Sequence, residues 1–267
     1  MLAIKWKLNM YHGFRHNDFY NFNFGFMFKD LLFPDSRKRN YLLWENAPKE
    51  IARQRYGIMF TNDTPLSGLR EVYFGQIYSR FPEFIPSAED IVLDAGAQFG
   101  DYALLCSKAY GVTMVHAFEP LQANYNILDA NFKLNHVGNA NAYRMALGEK
   151  DSEIEIFHEN DMANRYGYGK PEKVSIRTID SLNLGKISFM KIDVEGFEME
   201  LLRGAAKTIG ENFPRLIIET HSQKLDLQVM QFLSEYGYSL KHVVGNSSPK
   251  GRPEMDQVRN LFLSVSS

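Results

Sequence analysis

The sequence predicts an α/β fold, a doubly wound and mostly parallel sheet with helices on both faces, preceded by an N-terminal cap segment. Three observations predict it. Ile91-Val92-Leu93 is an apolar run that closes on Asp94 and breaks into a turn bearing Gly96 and Gly100, after which apolar residues return at helical spacing over 99–109. A second apolar run, Val115-His116-Ala117-Phe118, closes on Glu119 and Pro120. Beyond it, strand and helix patterns alternate to the end of the chain.

Residues 1–85 read as an aromatic cap or lid and 86–267 as the catalytic domain. Within 1–40, ten aromatics from Trp6 to Phe33 alternate with Asn, His and basic residues, a composition unlike that of a disordered tail. Phe22, Phe24, Phe26 and Phe28 keep period 2, which suits a half-buried extended segment. From 41 to 86 the pattern is helical in places, most clearly over 69–81, with Val72, Ile77 and Tyr78 on a buried face. Pro82 and Pro86 punctuate the entry to the core.

After the second strand the spacing predicts a helix over 125–135 and a third strand over 140–146. A hairpin of 153–158 with 173–179 follows, around a loop at 159–172. Then come a fourth core strand over 187–193, a helix over 198–208, a fifth strand over 216–219 and a helix over 225–236. Residues 239–244 and 260–265 form a closing antiparallel pair.

A chain of 267 residues with 45% hydrophobic content can bury a full α/β core plus a modest appended segment. A net charge of -2 and a pI near 6.4 give no bulk drive toward nucleic acid. The one cysteine, Cys106, cannot form an internal disulfide and reads as a small buried apolar residue. No run approaches the ~18 apolar residues of a membrane span, and the start lacks the apolar core of a secretory signal. A cytoplasmic protein is expected.

The turn after the first strand lacks the Gly-x-Gly-x-x-Gly spacing of dinucleotide sites and the Lys-Ser/Thr pair of a triphosphate site. Asp94 would repel a pyrophosphate but suits a ligand with ammonium and sulfonium charges, which describes S-adenosylmethionine. Glu119 lies roughly 20 residues beyond the turn, where doubly wound folds place a carboxylate for the ribose hydroxyls.

Lys191-Ile192-Asp193-Val194-Glu195-Gly196-Phe197-Glu198, taken with residues 94–100 and Phe118-Glu119-Pro120, resembles the FkbM family of S-adenosylmethionine-dependent methyltransferases. The likeness extends over 91–219 and takes in Ala146-Leu147-Gly148, Thr178-Ile179-Asp180-Ser181-Leu182, Leu201-Leu202-Arg203-Gly204-Ala205 and Ile217-Ile218-Glu219. One departure is Gln98, where the family commonly carries Asn. The resemblance implies the class I methyltransferase version of the sheet, seven strands with the last antiparallel, and O-methylation of hydroxyls on sugars, glycans or natural products. It further implies that Asp94, Gly96 and Gly100 hold the methionine part, Glu119 the ribose and the turn near Ala146 the adenine, with Ala97, Gln98 and Pro120 also among the cofactor-binding residues.

Methyl transfer from a sulfonium is an in-line displacement that depends chiefly on positioning, with a general base useful for an alcohol acceptor. Asp193, ending the fourth strand, is the candidate base, with binding of the methionine ammonium as its other reading. His221, closing the fifth strand in Glu219-Thr220-His221, is the second candidate because its intrinsic pKa suits proton transfer. Glu195 and Glu198 read as favouring a helix N-terminus. Asp193, Glu219 and His221 are oxygen- and nitrogen-bearing, but so loose a spacing identifies no metal site, and none is expected. An N-methyltransferase of nucleic acid or protein is the nearest rival. The Asp/Asn-Pro-Pro-aromatic motif common in base-methylating enzymes does not match residues 191–196. A binding module without turnover is the reading from another class.

Overall fold

The computed structural model describes residues 37–156, 171–245 and 258–265, with side chains from Ala47 onward. The period-2 phenylalanines, the other aromatics from Trp6 to Phe33 and the loop at 159–172, save its last two residues, lie outside the described residues.

The chain enters through helix α1 (Arg37–Tyr56) and a short helix α2 (Leu66–Leu69) that continues as a π-helical turn over Arg70–Gly75. Gln76 then takes a left-handed conformation, φ 49°, so the helix expected over 69–81 stops and restarts as a 3₁₀ turn, Ile77–Ser79. Val72, Ile77 and Tyr78 are buried as expected.

The core follows in chain order. Strand β1 (Ile91–Ala95) leads to α3 (Asp101–Leu104), which continues as a π-helical stretch over Leu105–Tyr110. Next come β2 (Met114–Phe118), α4 (Gln122–Leu134), β3 (Ala140–Tyr143), β4 (Ala146–Leu147), β5 (Ser152–Ile156) and β6 (Glu172–Arg177). The last part comprises β7 (Phe189–Ile192), α5 (Glu198–Arg203), α6 (Ala206–Asn212), β8 (Arg215–Thr220), α7 (Gln223–Ser234), β9 (Tyr238–Gly245) and β10 (Arg259–Val265).

Seven strands form the main sheet in the order β3-β2-β1-β7-β8-β10-β9. All run parallel except β10, which lies antiparallel between β8 and β9. Side chains alternate between two cores because successive strand residues point to opposite faces. Val92, Phe189, Ile217 and Phe262 enter one core with α1 to α4, whereas Leu93, Met190, Ile218 and Leu261 enter the other with α5 to α7. Cys106 is buried in the first core and unpaired.

Two expected elements are divided. The strand over 140–146 is two strands: β3 pairs with β2, and after Tyr143 the chain leaves the main sheet so that β4 pairs with β6 in a three-stranded sheet with β5. The helix over 198–208 breaks at Gly204, where a Cβ would lie 1.9 Å from the Gly148 carbonyl oxygen. The Asp180 carboxylate then caps the new start by accepting from the Lys207 and Thr208 backbone N–H groups at 2.9 and 2.8 Å. Packing, which periodicity does not encode, made both breaks.

Candidate active site

The parallel strands share one direction, so their carboxyl ends form one rim. On that rim the alternation of side chains collects the polar residues onto a single face. Asp94 on β1 and Lys191 on β7 are register partners, and Lys191 faces Ile217 on β8. Two residues further on, Asp193 and Glu219 share that parity, and Asn260 on β10 is the register partner of Glu219. His221 continues the parity of Glu219.

Asp94 is fully enclosed, and neither of its oxygens finds a well-formed hydrogen bond; Lys191 Nζ stands 3.4 Å from Oδ1 as its ion-pair partner. Burial pushes the Asp94 carboxyl up, partly offset by the lysine. Burial alone would lower the Lys191 ammonium, but Asp94, Asp193, Asp101 and Glu219 around it hold it well above its ordinary value. Lys191 also donates to the Gly96 carbonyl at 2.9 Å and lies 3.5 Å from Asp193 Oδ2. It thereby ties the glycine turn to the end of β7. The sequence reading gave Lys191 no role, although a lone cation in the buried strand Phe189–Ile192 was the available signal.

The turn itself is built for close backbone approach. Gly96 has φ 75°, and a Cβ there would sit 1.8 Å from the Asp193 carbonyl oxygen. Ala97 is buried, Gln98 adopts φ 44°, and Gly100, φ 79°, closes the turn by donating to Ala97 O at 2.7 Å. Glu119 reaches back to it: Oε2 accepts from the Gln98 N–H at 2.9 Å, and Oε1 accepts from the Leu121 N–H at 3.0 Å and Asn124 Nδ2 at 3.3 Å. The carboxylate is thus held in place with lone pairs to spare, and burial pushes it up to about 7. Pro120 follows half-buried. Ala146 opens β4 in the small sheet, half-buried.

Asp193 follows β7 directly. Its Oδ2 accepts from Tyr78 OH at 3.3 Å, so a residue placed in the cap reaches the end of the fourth core strand. Tyr78 is buried against Tyr102, ring centroids 5.2 Å apart, with Lys191 Nζ 5.5 Å above its ring. The sequence identified Tyr78 as buried and carried no sign of this contact. Glu195 is exposed, with φ 52°, and lies 3.5 Å from His221 Nε2. Glu198, read as favouring a helix N-terminus, stands in the first turn of α5, where it is buried and accepts from the Gly196 N–H at 3.0 Å.

Asp193, Glu219 and His221 meet. Their ligand atoms all lie within 4.8 Å of one another, a set able to hold a metal ion, where sequence spacing gave no such site. Burial and the Asp193 and Glu71 carboxylates push Glu219 up.

Residues 94–240 match the methyltransferase FkbM domain, which is more than half of the chain. The chain is 22% identical over 197 residues to Methyltransferase 1 of Beauveria bassiana, covering 62% of this chain and 77% of that protein. It is 28% identical over 155 residues to the hexuronic acid methyltransferase AglP of Haloferax volcanii, covering 55% of this chain and 62% of that protein. Among solved structures it is similar to the methyltransferase FkbM of Methylobacillus flagellatus KT, with a TM-score of 0.47 and 18% identity, over 82% of this chain and 59% of that one.

Proposed function

The chain belongs to the FkbM methyltransferase family, with S-adenosylmethionine as its cofactor, and from that premise we propose that it methylates a hydroxyl on a sugar, glycan or natural product. The observation that carries the proposal is the contact of Gly96 with the Asp193 carbonyl. It joins the cofactor turn to the carboxylate and imidazole cluster, so a methyl donor on one side and an acceptor on the other would be adjacent. The Haloferax relative, a hexuronic acid methyltransferase, supports the sugar reading.

The cofactor supplies a methyl group already activated on a sulfonium. The chain's part is to hold and orient. Asp94, Gly96, Ala97, Gln98 and Gly100 are proposed to hold the methionine part; the tight glycine turn fits a ligand bound through the backbone, and Asp94, paired with Lys191, would act from beneath it. Glu119 and Pro120 would take the ribose and the turn at Ala146 the adenine. Lys191 keeps the turn and β7 in fixed relation. Asp193 and His221 would face the acceptor hydroxyl, whose proton departs in their cluster.

A methyl-labelled cofactor offered with a panel of hydroxylated sugars and glycans tests the reading. Label appearing as a methyl ether is expected, and Asp193→Asn should lower saturated turnover ~100-fold or more. Label found only on nitrogen acceptors would overturn the O-methylation reading. Lost cofactor affinity with turnover preserved at saturation would move Asp193 to the methionine ammonium.

A further inference from the structure

We infer that Asp193, Glu219 and His221 form a divalent-cation site on the acceptor side of the rim, through which the acceptor oxygen is held. The inference rests on the methyl-transfer reading for its purpose but not for its existence.

Three observations carry it. The donors come from the ends of two adjacent parallel strands and share one face, so the sheet itself fixes their spacing. No pair of ligand atoms is more than 4.8 Å apart. Ligands about 2.1 Å from an ion are separated by at most about 4.2 Å, a difference that small side-chain rotations close.

The second observation concerns groups left without partners. Asn260 is fully buried beside the cluster: its Nδ2 donates to Glu219 Oε2 at 3.2 Å, while its Oδ1 has no hydrogen bond. The His221 Nε2 atom is likewise shielded from solvent and without a hydrogen bond, its nearest charge being Glu195 at 3.5 Å. Buried polar atoms in folded proteins are rarely left in this state, and a ligand is one ordinary reason for an exception.

The third is charge. Lys191 Nζ is directed to Asp94 and the Gly96 carbonyl and meets Asp193 only at Oδ2, on the side also taken by Tyr78. Asp193 Oδ1 lies outside those contacts. Glu219, buried between Asp193 and Asn260, has no cation of its own within ion-pairing distance among the described residues. Two carboxylates and one imidazole form a mixed oxygen and nitrogen set that suits Mn²⁺. A cation there supplies the missing charge, and its remaining positions are free for a hydroxyl.

Mn²⁺ titrated into the metal-stripped full chain, followed by electron paramagnetic resonance, tests the site. One ion per chain is expected, with nitrogen modulation from one imidazole in the spin echo. His221→Gln should abolish that modulation, and Asp193→Asn and Glu219→Gln should each weaken binding at least tenfold. Circular dichroism of each variant must match the parent. Should one variant fail to fold, the nitrogen modulation in the parent still decides. Stoichiometric binding without nitrogen modulation, or binding unchanged in the folded variants, would overturn the inference. So would full methyl transfer by the stripped protein in excess chelator, an outcome that leaves the methyltransferase reading standing. Ion binding at these residues without transfer to any hydroxyl would keep the site and remove the O-methylation reading.

Discussion

Glu119 and Asp101 carry the clearest consequences for single side chains. Glu119 was legible from its distance to the glycine turn, and its carboxylate is aimed by two backbone N–H groups and Asn124. Glu119→Ala should weaken S-adenosylmethionine binding by ~1 to 3 kcal/mol, the scale for losing a hydrogen bond to a charged group. Calorimetry returning an unchanged dissociation constant would take Glu119 out of the ribose role. Asp101 falls inside the helical spacing of 99–109, which gives no sign of its surroundings. It is buried beneath Gly68, where a Cβ would lie 2.2 Å from its Oδ2, and burial pushes it from 3.8 up to about 7. Between those values the folded protein keeps a proton that the unfolded chain has released. The stability contributed is therefore present in full below the unfolded pKa and is lost as pH rises through the folded one. Urea unfolding of the ligand-free protein should show stability falling from pH 4 to 7 on this account. Asp101→Asn should flatten that slope; parallel curves for the two proteins would count against it.

The glycine turn and the strand ends are where local sequence and packing meet. Gly96 combines a left-handed backbone with a Cβ position 1.8 Å from a carbonyl oxygen, whereas Gly111, φ 63°, has open space around it. Gly111→Ala should cost ~1 kcal/mol, the strain of the conformation alone. Gly96→Ala should cost ~3 kcal/mol or more, because the turn and the end of β7 must also separate. Equal midpoints for the two variants in denaturant would show that the turn yields freely. The same contact explains why an alanine at 96 should also disturb the cofactor site. At Gly204 the periodicity over 198–208 was truly helical, and the break came from the approach of Gly148, a residue far away in sequence.

For the whole molecule, a cofactor that binds only the folded state must raise its stability by mass action. S-adenosylmethionine at about a hundred times its dissociation constant should add ~2.7 kcal/mol and raise the melting temperature, while NAD at the same concentration should leave it unchanged. A shift with NAD alone would reverse the reading of the turn. The cap also belongs to this scale: Tyr78 seals the site through Asp193 and Tyr102, and the cores bury Ile58, Leu69 and Tyr73 against α3. Packing of this extent ties the described residues 52–84 to the core that carries the site.

What the sequence by itself determined was everything with a local cause. Alternating apolar runs and helical spacing specified the mostly parallel sheet, the closing antiparallel pair and the glycine turn after β1, because period and turn chemistry act over a few residues. Asp94, Glu119, Asp193 and His221 were legible since each ends a buried strand, where a polar residue stands out. Only the tertiary structure decided their company. Lys191 beside Asp94 and Asp193 beside Glu219 depend on strands β1, β7 and β8 lying next to one another in a given register, and Tyr78 on how the cap docks. Strand order and register are set by the summed burial of two cores, a property of the whole chain that no short window of sequence contains.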